Sequence, residues 1–225
     1  MDNERVEMAG YSADIIIHTA AVKNIEITEF NPMETIDVNV NGTINLIKMC
    51  MKNKPEKFLN ISTDKAADSI NLYGTTKQLS EKVIRWAGDH VKHTKFASVR
   101  MGNIIETSGN VFEIWRNESK MNSPLSITDP KMERYFFHLD EAVDFIVKCL
   151  SLVDRGEIFV PKMKSFKIIE LANKISKKHK IIGTRYGEKL KEVLITKSEM
   201  ELARETNSMW IIGAQHSMYG KKNKP

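Results

Sequence analysis

Two cysteines in 225 residues are too few to staple a fold of this size, and neither has a second Cys or a His at ligand spacing. Cys50 and Cys149 fall on apolar helical faces and read as small buried hydrophobes in a reducing compartment. No stretch approaches the roughly 18 consecutive apolar residues that a membrane-spanning helix requires. Asp2, Glu4 and Arg5 interrupt any apolar start, so nothing at Met1 has the form of a signal peptide. A cytoplasmic protein with no membrane partner is expected. Internal repeats are lacking as well, which leaves out solenoids and propellers.

What is present is an ordinary globular composition, 41% hydrophobic, enough for one substantial domain with a smaller appendage. The net charge of +5 comes largely from Lys174, Lys177, Lys178 and Lys180, and from Lys221, Lys222 and Lys224 near the end. The first group reads as the solvated face of an amphipathic helix and the second as a disordered basic tail. No recognition helix or aromatic platform accompanies them, so nucleic acid is not an expected partner. Part of the positive balance suits an anionic nucleotide ligand.

The chain is organised around residues 58–77. Phe58-Leu59-Asn60-Ile61 favours a strand that ends at Ser62, and a loop through Thr63, Asp64 and Lys65 leads to a helical pattern from Tyr73 to about Ala87. Leu79, Val83 and Trp86 are expected on that helix's inner face. In open parallel α/β sheets the ligand crevice lies at the carboxyl ends of the strands, which puts Ser62 to Lys65 where such folds do chemistry. Tyr73 and Lys77, four apart, share one helix face. A phenol with its pKa of about 10 is a poor base at neutral pH, and a nearby ammonium, here expected from Lys77, favours the phenolate. A serine hydroxyl at the strand end can bond the same substrate oxygen, a set of groups that moves a proton while a nicotinamide takes a hydride.

Ser62-Thr63-Asp64-Lys65-Ala66-Ala67 and Ile70-Asn71-Leu72-Tyr73-Gly74-Thr75-Thr76-Lys77 resemble the core of the UDP-N-acetylglucosamine 4,6-dehydratases, an extended branch of the short-chain dehydrogenase/reductase superfamily. His18-Thr19-Ala20-Ala21-Val22-Lys23, Val99-Arg100-Met101-Gly102-Asn103, Gly156-Glu157-Ile158-Phe159-Val160-Pro161-Lys162 and Arg185-Tyr186-Gly187-Glu188-Lys189-Leu190 agree with it. The resemblance runs from about Asp14 to Ile212. It implies NADP, with NAD the alternative, held by Thr19, Ala20, Ala21, Ser62, Tyr73, Lys77 and Ile104. It also implies UDP-N-acetylglucosamine held by Lys23, Asn103, Thr128, Arg185 and Glu188. Ser62, Tyr73 and Lys77 would act at the sugar C4, Lys65 as base at C5, and Asp64 as the acid that releases the C6 hydroxyl. Tyr73 points to the inverting group. No metal is implied. Two stretches depart from the family: Glu106-Thr107-Ser108-Gly109-Asn110 replaces a Gly-Ser-Arg-Gly-Ser loop, and Glu133-Arg134-Tyr135 stands where Thr-Arg-Phe is common.

Along the chain, residues 2–10 read as a short helix and Ala13 to His18 as a parallel strand apolar on both faces. Asn31-Pro32-Met33-Glu34 has the form of a capped helix start, with the helix running to about Asn53 and carrying Asn39 and Gly42. In the superfamily an asparagine at this place supports the catalytic tyrosine and lysine. Further expectations are strands at 95–100, 124–128, 135–139, 156–161 and 208–212. Helices are expected at 111–121, from an Asp140 cap to Leu152, and from Ser165 to near His179. The fold class is therefore α/β: a partial Rossmann-like parallel sheet (1–123), a smaller α/β substrate-binding part (124–214) and the tail (215–225).

No glycine-rich turn of the Gly-x-x-Gly-x-x-Gly kind follows the first strand. By the resemblance about two βα units, on the order of 60 residues, precede that strand in the family. Residues 14–18 are then expected as a bare sheet edge that pairs with a second copy or receives strands from another polypeptide or from sequence upstream. Three functional readings follow: a dehydratase, a sugar-nucleotide 4-epimerase, and a non-catalytic sugar-nucleotide-binding homologue or partner subunit.

Overall fold

The computed structural model describes residues 3–105, 107 and 109–213, so Glu106, Ser108 and the basic tail lie outside the described residues. Helix α1 (Asn3–Ala9) precedes strand β1 (Ile15–His18). Helices α2 (Ile25–Phe30) and α3 (Pro32–Ile36) follow, and α3 continues through a π turn (Asp37–Asn41) into α4 (Gly42–Asn53). Next come β2 (Lys57–Thr63), a 3-10 turn (Asp64–Ala66), α5 (Leu72–His90) and β3 (Lys95–Met101). Then come β4 (Asn103–Ile104), α6 (Val111–Lys120), β5 (Leu125–Ile127), β6 (Glu133–Phe137), α7 (Leu139–Leu152) and β7 (Arg155–Pro161). The rest comprises β8 (Ser165–Lys167), α8 (Ile168–Ile175), β9 (His179–Ile181), α9 (Lys197–Leu202), β10 (Ala203–Glu205) and β11 (Met209–Ile212).

The main sheet has the order β1-β2-β3-β7-β11-β10. Its first four strands are parallel, and β11 and β10 are antiparallel to their neighbours. Register puts Phe58 beside Ile16 and Phe96, and the rings of Phe58 and Phe96 lie 5.4 Å apart. Ile47, Met49 and Cys50 of α4 and Ile84 and Ala87 of α5 close over these rings as one apolar cluster. Truncating a phenylalanine in such a cluster costs about 3–5 kcal/mol, so this layer fixes where the carboxyl ends of β2 and β3 stand. Gly156, at φ +81°, lets α5 approach β7: a Cβ there would lie 2.5 Å from Arg85 Cα.

The chain divides into two compact units. The larger holds residues 3–101, 146–162 and 193–213, and the smaller 102–145 and 163–192. This differs from the expected 1–123 and 124–214. The physical reason is that β7, β10 and β11 complete the main sheet, so two later segments return to the larger unit. In the smaller unit Trp115, Leu125, Ile127, Met132, Ile168 and Ala172 form a separate core.

Other expectations are corrected. Residues 13–18 are not buried on both faces: β1 is the sheet edge, and Ile15 and Ile17 are 46% and 43% exposed. Asn31 makes no side-chain cap, its amide donating back to the Ile27 carbonyl instead. On α5 the buried face is Thr76, Lys77, Ser80, Glu81, Ile84 and Ala87, while Leu79 and Trp86 are exposed, because polar partners lie beneath the helix. Asp140 sits inside the first turn of α7, and the backbone N–H of His138 donates to Glu141. Residues 165–179 are a short strand and a helix ending at Ile175, with β9 beyond. Both cysteines are free and buried, as expected. Among the described residues no helix is long and apolar enough to cross a membrane.

Candidate active site

β2 delivers the first functional groups. Ser62 is buried at its end, and the Ser62 hydroxyl has no hydrogen-bond partner. The chain then turns at once, Thr63 capping the 3-10 turn through the Lys65 N–H. This places Asp64 at 0% exposure. Its Oδ1 accepts from the Thr63 hydroxyl and from Lys65 Nζ, each at 3.0 Å, whereas Oδ2 has no partner. Unsatisfied buried polar atoms are costly and rare, and two of them within three residues at a strand end mark groups that wait for a ligand.

α5 supplies the other groups. Asn71 caps it by accepting from the Gly74 N–H at 2.7 Å, which sets Tyr73 and Lys77 on the face toward the turn. Gly74 is required there, because a Cβ would run into the Lys65 carbonyl and the Ser69 hydroxyl. Burial raises the Tyr73 pKa, the Lys65 charge and a hydrogen bond with Thr63 oppose the rise, and the Asp64 charge adds to it. Lys65 is thus one cation that acts on the phenol. Burial lowers Lys77 to about 8, opposed by the Glu81 carboxylate one turn on. His18, at the end of β1, is lowered to about 4 by burial and by the Lys77 charge, and meets Thr43 at 3.2 Å.

Asn39 stands on the π turn, and its side chain hydrogen-bonds neither Tyr73 nor Lys77. Its amide donates to the Val22 carbonyl at 3.0 Å and to the Thr76 hydroxyl at 3.0 Å, and its oxygen accepts from the Val22 N–H at 2.8 Å. The segment Thr19-Ala20-Ala21-Val22-Lys23 is thereby tied to α5 beside Lys77. Thr19, Ala20 and Lys23 are exposed and Ala21 half-buried, an open strand end of small side chains that fits a flat cofactor. Together with the unpartnered Ser62 hydroxyl, these residues fit a nicotinamide dinucleotide.

The remaining predicted residues lie in the smaller unit. Asn103, Thr128, Arg185 and Glu188 line one cavity of about 250 Å³, walled by Trp115 and Phe136. Ile104 is half-buried on β4. Arg134 was noted in the sequence only within a departure from the family pattern. It is buried and donates to the carbonyls of Lys189 (2.8 Å) and Leu190 (3.2 Å), fixing the chain just after Glu188. Sequence reasoning also missed Arg100, Glu81 and Glu199. The signal for Glu81 was its four-residue spacing from Lys77 on one helix face. Among the described residues no group of three or more His, Cys, Asp or Glu is placed to hold a metal ion.

Comparison with known proteins identifies the family and the fold. Residues 1–214 match a family described as polysaccharide biosynthesis protein. A UDP-N-acetylglucosamine 4,6-dehydratase (inverting) from Campylobacter jejuni is 37% identical over 99% of this chain and 68% of its own length. A UDP-glucose 4-epimerase from Rickettsia bellii is 35% identical over 92% of this chain and 63% of its own. The dTDP-glucose 4,6-dehydratase DesIV from Streptomyces venezuelae, solved with NAD bound, shares the fold. Its TM-score is 0.79 at 17% identity, covering 86% of this chain and 68% of that one. The chain thus spans about two thirds of the length of the relatives it matches. By sequence and by fold, this chain belongs to the polysaccharide biosynthesis protein family, on its UDP-N-acetylglucosamine 4,6-dehydratase branch.

Proposed function

We propose that the chain carries the catalytic part of an NADP-dependent UDP-N-acetylglucosamine 4,6-dehydratase, which forms a 4-keto-6-deoxy sugar nucleotide with inversion at C5. The observation that carries this reading is the Lys65–Asp64 pair. Asp64 is buried and Lys65 half-buried, both act on the Tyr73 phenol, and one carboxylate oxygen is left without a partner. A 4-epimerase, the runner-up, needs Ser62, Tyr73 and Lys77 but has no use for a second acid–base pair next to them.

Tyr73 takes the C4 hydroxyl proton while the Ser62 hydroxyl donates to the same oxygen. The nicotinamide, when bound, supplies a hydride acceptor that later returns the hydride to C6. A ketone at C4 acidifies the C5 hydrogen, and Lys65 removes it. For this Lys65 must be an amine and Asp64 an acid. One proton shift along their 3.0 Å hydrogen bond produces both forms. Asp64 then protonates the departing C6 hydroxyl, which leaves as water. Lys65 is left an ammonium and Asp64 a carboxylate, the pair as it began. Once C6 has its hydride, C5 of the resulting enolate takes a solvent-exchangeable proton on the face opposite Lys65, and Tyr73 returns the C4 proton to solvent. By the resemblance, Lys23 in the larger unit and Asn103, Thr128, Arg185 and Glu188 in the smaller are sugar-nucleotide contacts, and Thr19, Ala20 and Ala21 in the larger unit and Ile104 in the smaller are cofactor contacts.

The test is incubation of the full chain with NADP and UDP-N-acetylglucosamine in deuterated water, read by NMR. The reading expects loss of one water and deuterium at C5, both absent with Lys65→Ala. A C4 epimer that keeps its C6 hydroxyl establishes the runner-up. Calorimetric binding of the sugar nucleotide without NADP, and without turnover, establishes a binding subunit.

A further inference from the structure

Arg100 is 1% exposed, directly beside Ser62 in the β2–β3 register, and carries a full set of partners. Nε and Nη2 donate to the two oxygens of Glu81 at 3.0 and 2.7 Å. Nη1 and Nη2 donate to the two oxygens of Glu199 at 2.9 and 2.7 Å, and Nη1 also to the Leu194 carbonyl at 3.0 Å. One guanidinium is divided between two carboxylates. Burial would raise the Glu199 pKa, but the hydrogen bonds and charge of Arg100 and the donors of Thr196 outweigh it, so Glu199 is ionised. One positive and two negative charges leave the cluster with a net charge of −1.

That residual charge has a neighbour. Glu81 lies four residues after Lys77 on the same face of α5, and both are almost fully buried. The charged groups that act on or feel Lys77 are His18 at the end of β1 and Glu81 on α5 itself, while Asp64 and Lys65 of the 3-10 turn act on Tyr73. His18 is neutral at pH 7, and the Glu81 carboxylate is the charge that opposes the effect of burial on Lys77. Glu199 reaches the cluster from the C-terminal segment, where a capping box with Thr196 fixes it at the start of α9.

We propose that Arg100, Glu81 and Glu199 form a positioning cluster for Lys77, in which Glu199 tips the charge balance so that the buried ammonium beside the Tyr73 site stays protonated. The C-terminal segment is then part of the catalytic apparatus without touching substrate. This rests on the reading of Lys77 as the partner of Tyr73.

The test is titration of Lys77 in the full chain by NMR of ¹³Cε-labelled lysine, the signal assigned by its loss in Lys77→Arg. Glu199→Gln keeps the shape and removes one charge, so the Lys77 midpoint is expected to fall by about 0.5–1 pH unit. Glu199→Asp, which keeps the charge but draws it back, should give a smaller fall and serves if the Gln variant does not fold. An unchanged midpoint in whichever variant folds makes the cluster a structural tie only and overturns the proposal. A shifted midpoint in a chain that does not turn over sugar nucleotide supports the cluster and removes only the dehydratase reading.

Discussion

Asn39 and Thr76 lie 37 residues apart in sequence and meet side chain to side chain at 3.0 Å, with Asn39 also holding both backbone groups of Val22. One buried amide thus joins the open end of β1 to the helix that bears Tyr73 and Lys77. Asn39→Ala leaves Val22 N–H and C=O and the Thr76 hydroxyl short of a partner. A loss of about 2–4 kcal/mol is expected in urea unfolding. Asn39→Asp, which can still accept from Val22, should lose less. Equal stability of the alanine variant and the parent would show that water replaces the clamp.

Lys77 is kept at a cost. Its folded pKa of about 8 lies below the ordinary 10.5. Below pH 8 the lysine is charged in both states and the folded protein bears the full penalty. Between about 8 and 10.5 the folded state releases its proton first, the unfolded state binds more, and stability rises with pH. At pH 7 Lys77→Met should therefore be more stable than the parent by up to about 3 kcal/mol, and inactive. The gap should close by pH 10.5. A methionine variant less stable at pH 7 would refute this account.

The opposite end of the scale belongs to His18, whose pKa of about 4 arises first from burial and then from the Lys77 charge. Its contribution is complete above about pH 6.5 and is lost as pH falls toward 4, because the unfolded chain takes up the proton first. His18→Gln is expected to flatten the stability profile between pH 6.5 and 4 by about 3 kcal/mol relative to the parent. Parallel acid-unfolding curves for the two proteins would contradict it.

Gly74 has ordinary helical surroundings, where alanine normally stabilises by about 1 kcal/mol. Here a Cβ collides with the Lys65 carbonyl, so Gly74→Ala must displace the turn that holds Asp64 and Lys65. The expected result is a lower melting temperature and at least a tenfold fall in kcat, with little change in sugar-nucleotide Kd. A variant with unaltered turnover would mean that the turn tolerates the shift.

Among the described residues, no strand pairs with the outer side of β1, where Ile15 and Ile17 are exposed. Such edges recruit strands. Concentration-dependent association by light scattering is expected, weakened by Ile17→Lys. A monodisperse monomer at all concentrations would count against it.

The order of strands and helices around residues 58–101 was legible because period and composition act locally: an apolar run ending at Ser62, then a capped helix carrying Tyr73 and Lys77 four apart. The residues lining the cavity of the smaller unit came from the resemblance, since nothing local distinguishes Thr128 or Arg185 from surface positions. The sequence by itself determined which groups stand at the end of β2 and on the first turns of α5. Only the tertiary structure decided that α5 buries its polar face and exposes Leu79 and Trp86. The same holds for the Lys65 charge felt by Tyr73, and for the meeting of Glu199 and Glu81 on Arg100. Each depends on partners 19 to 99 residues away for Arg100, and on which side of a helix finds hydrogen-bonding groups beneath it. Helical periodicity records the apolar residues. It carries no record of a polar face whose partners arrive from other strands.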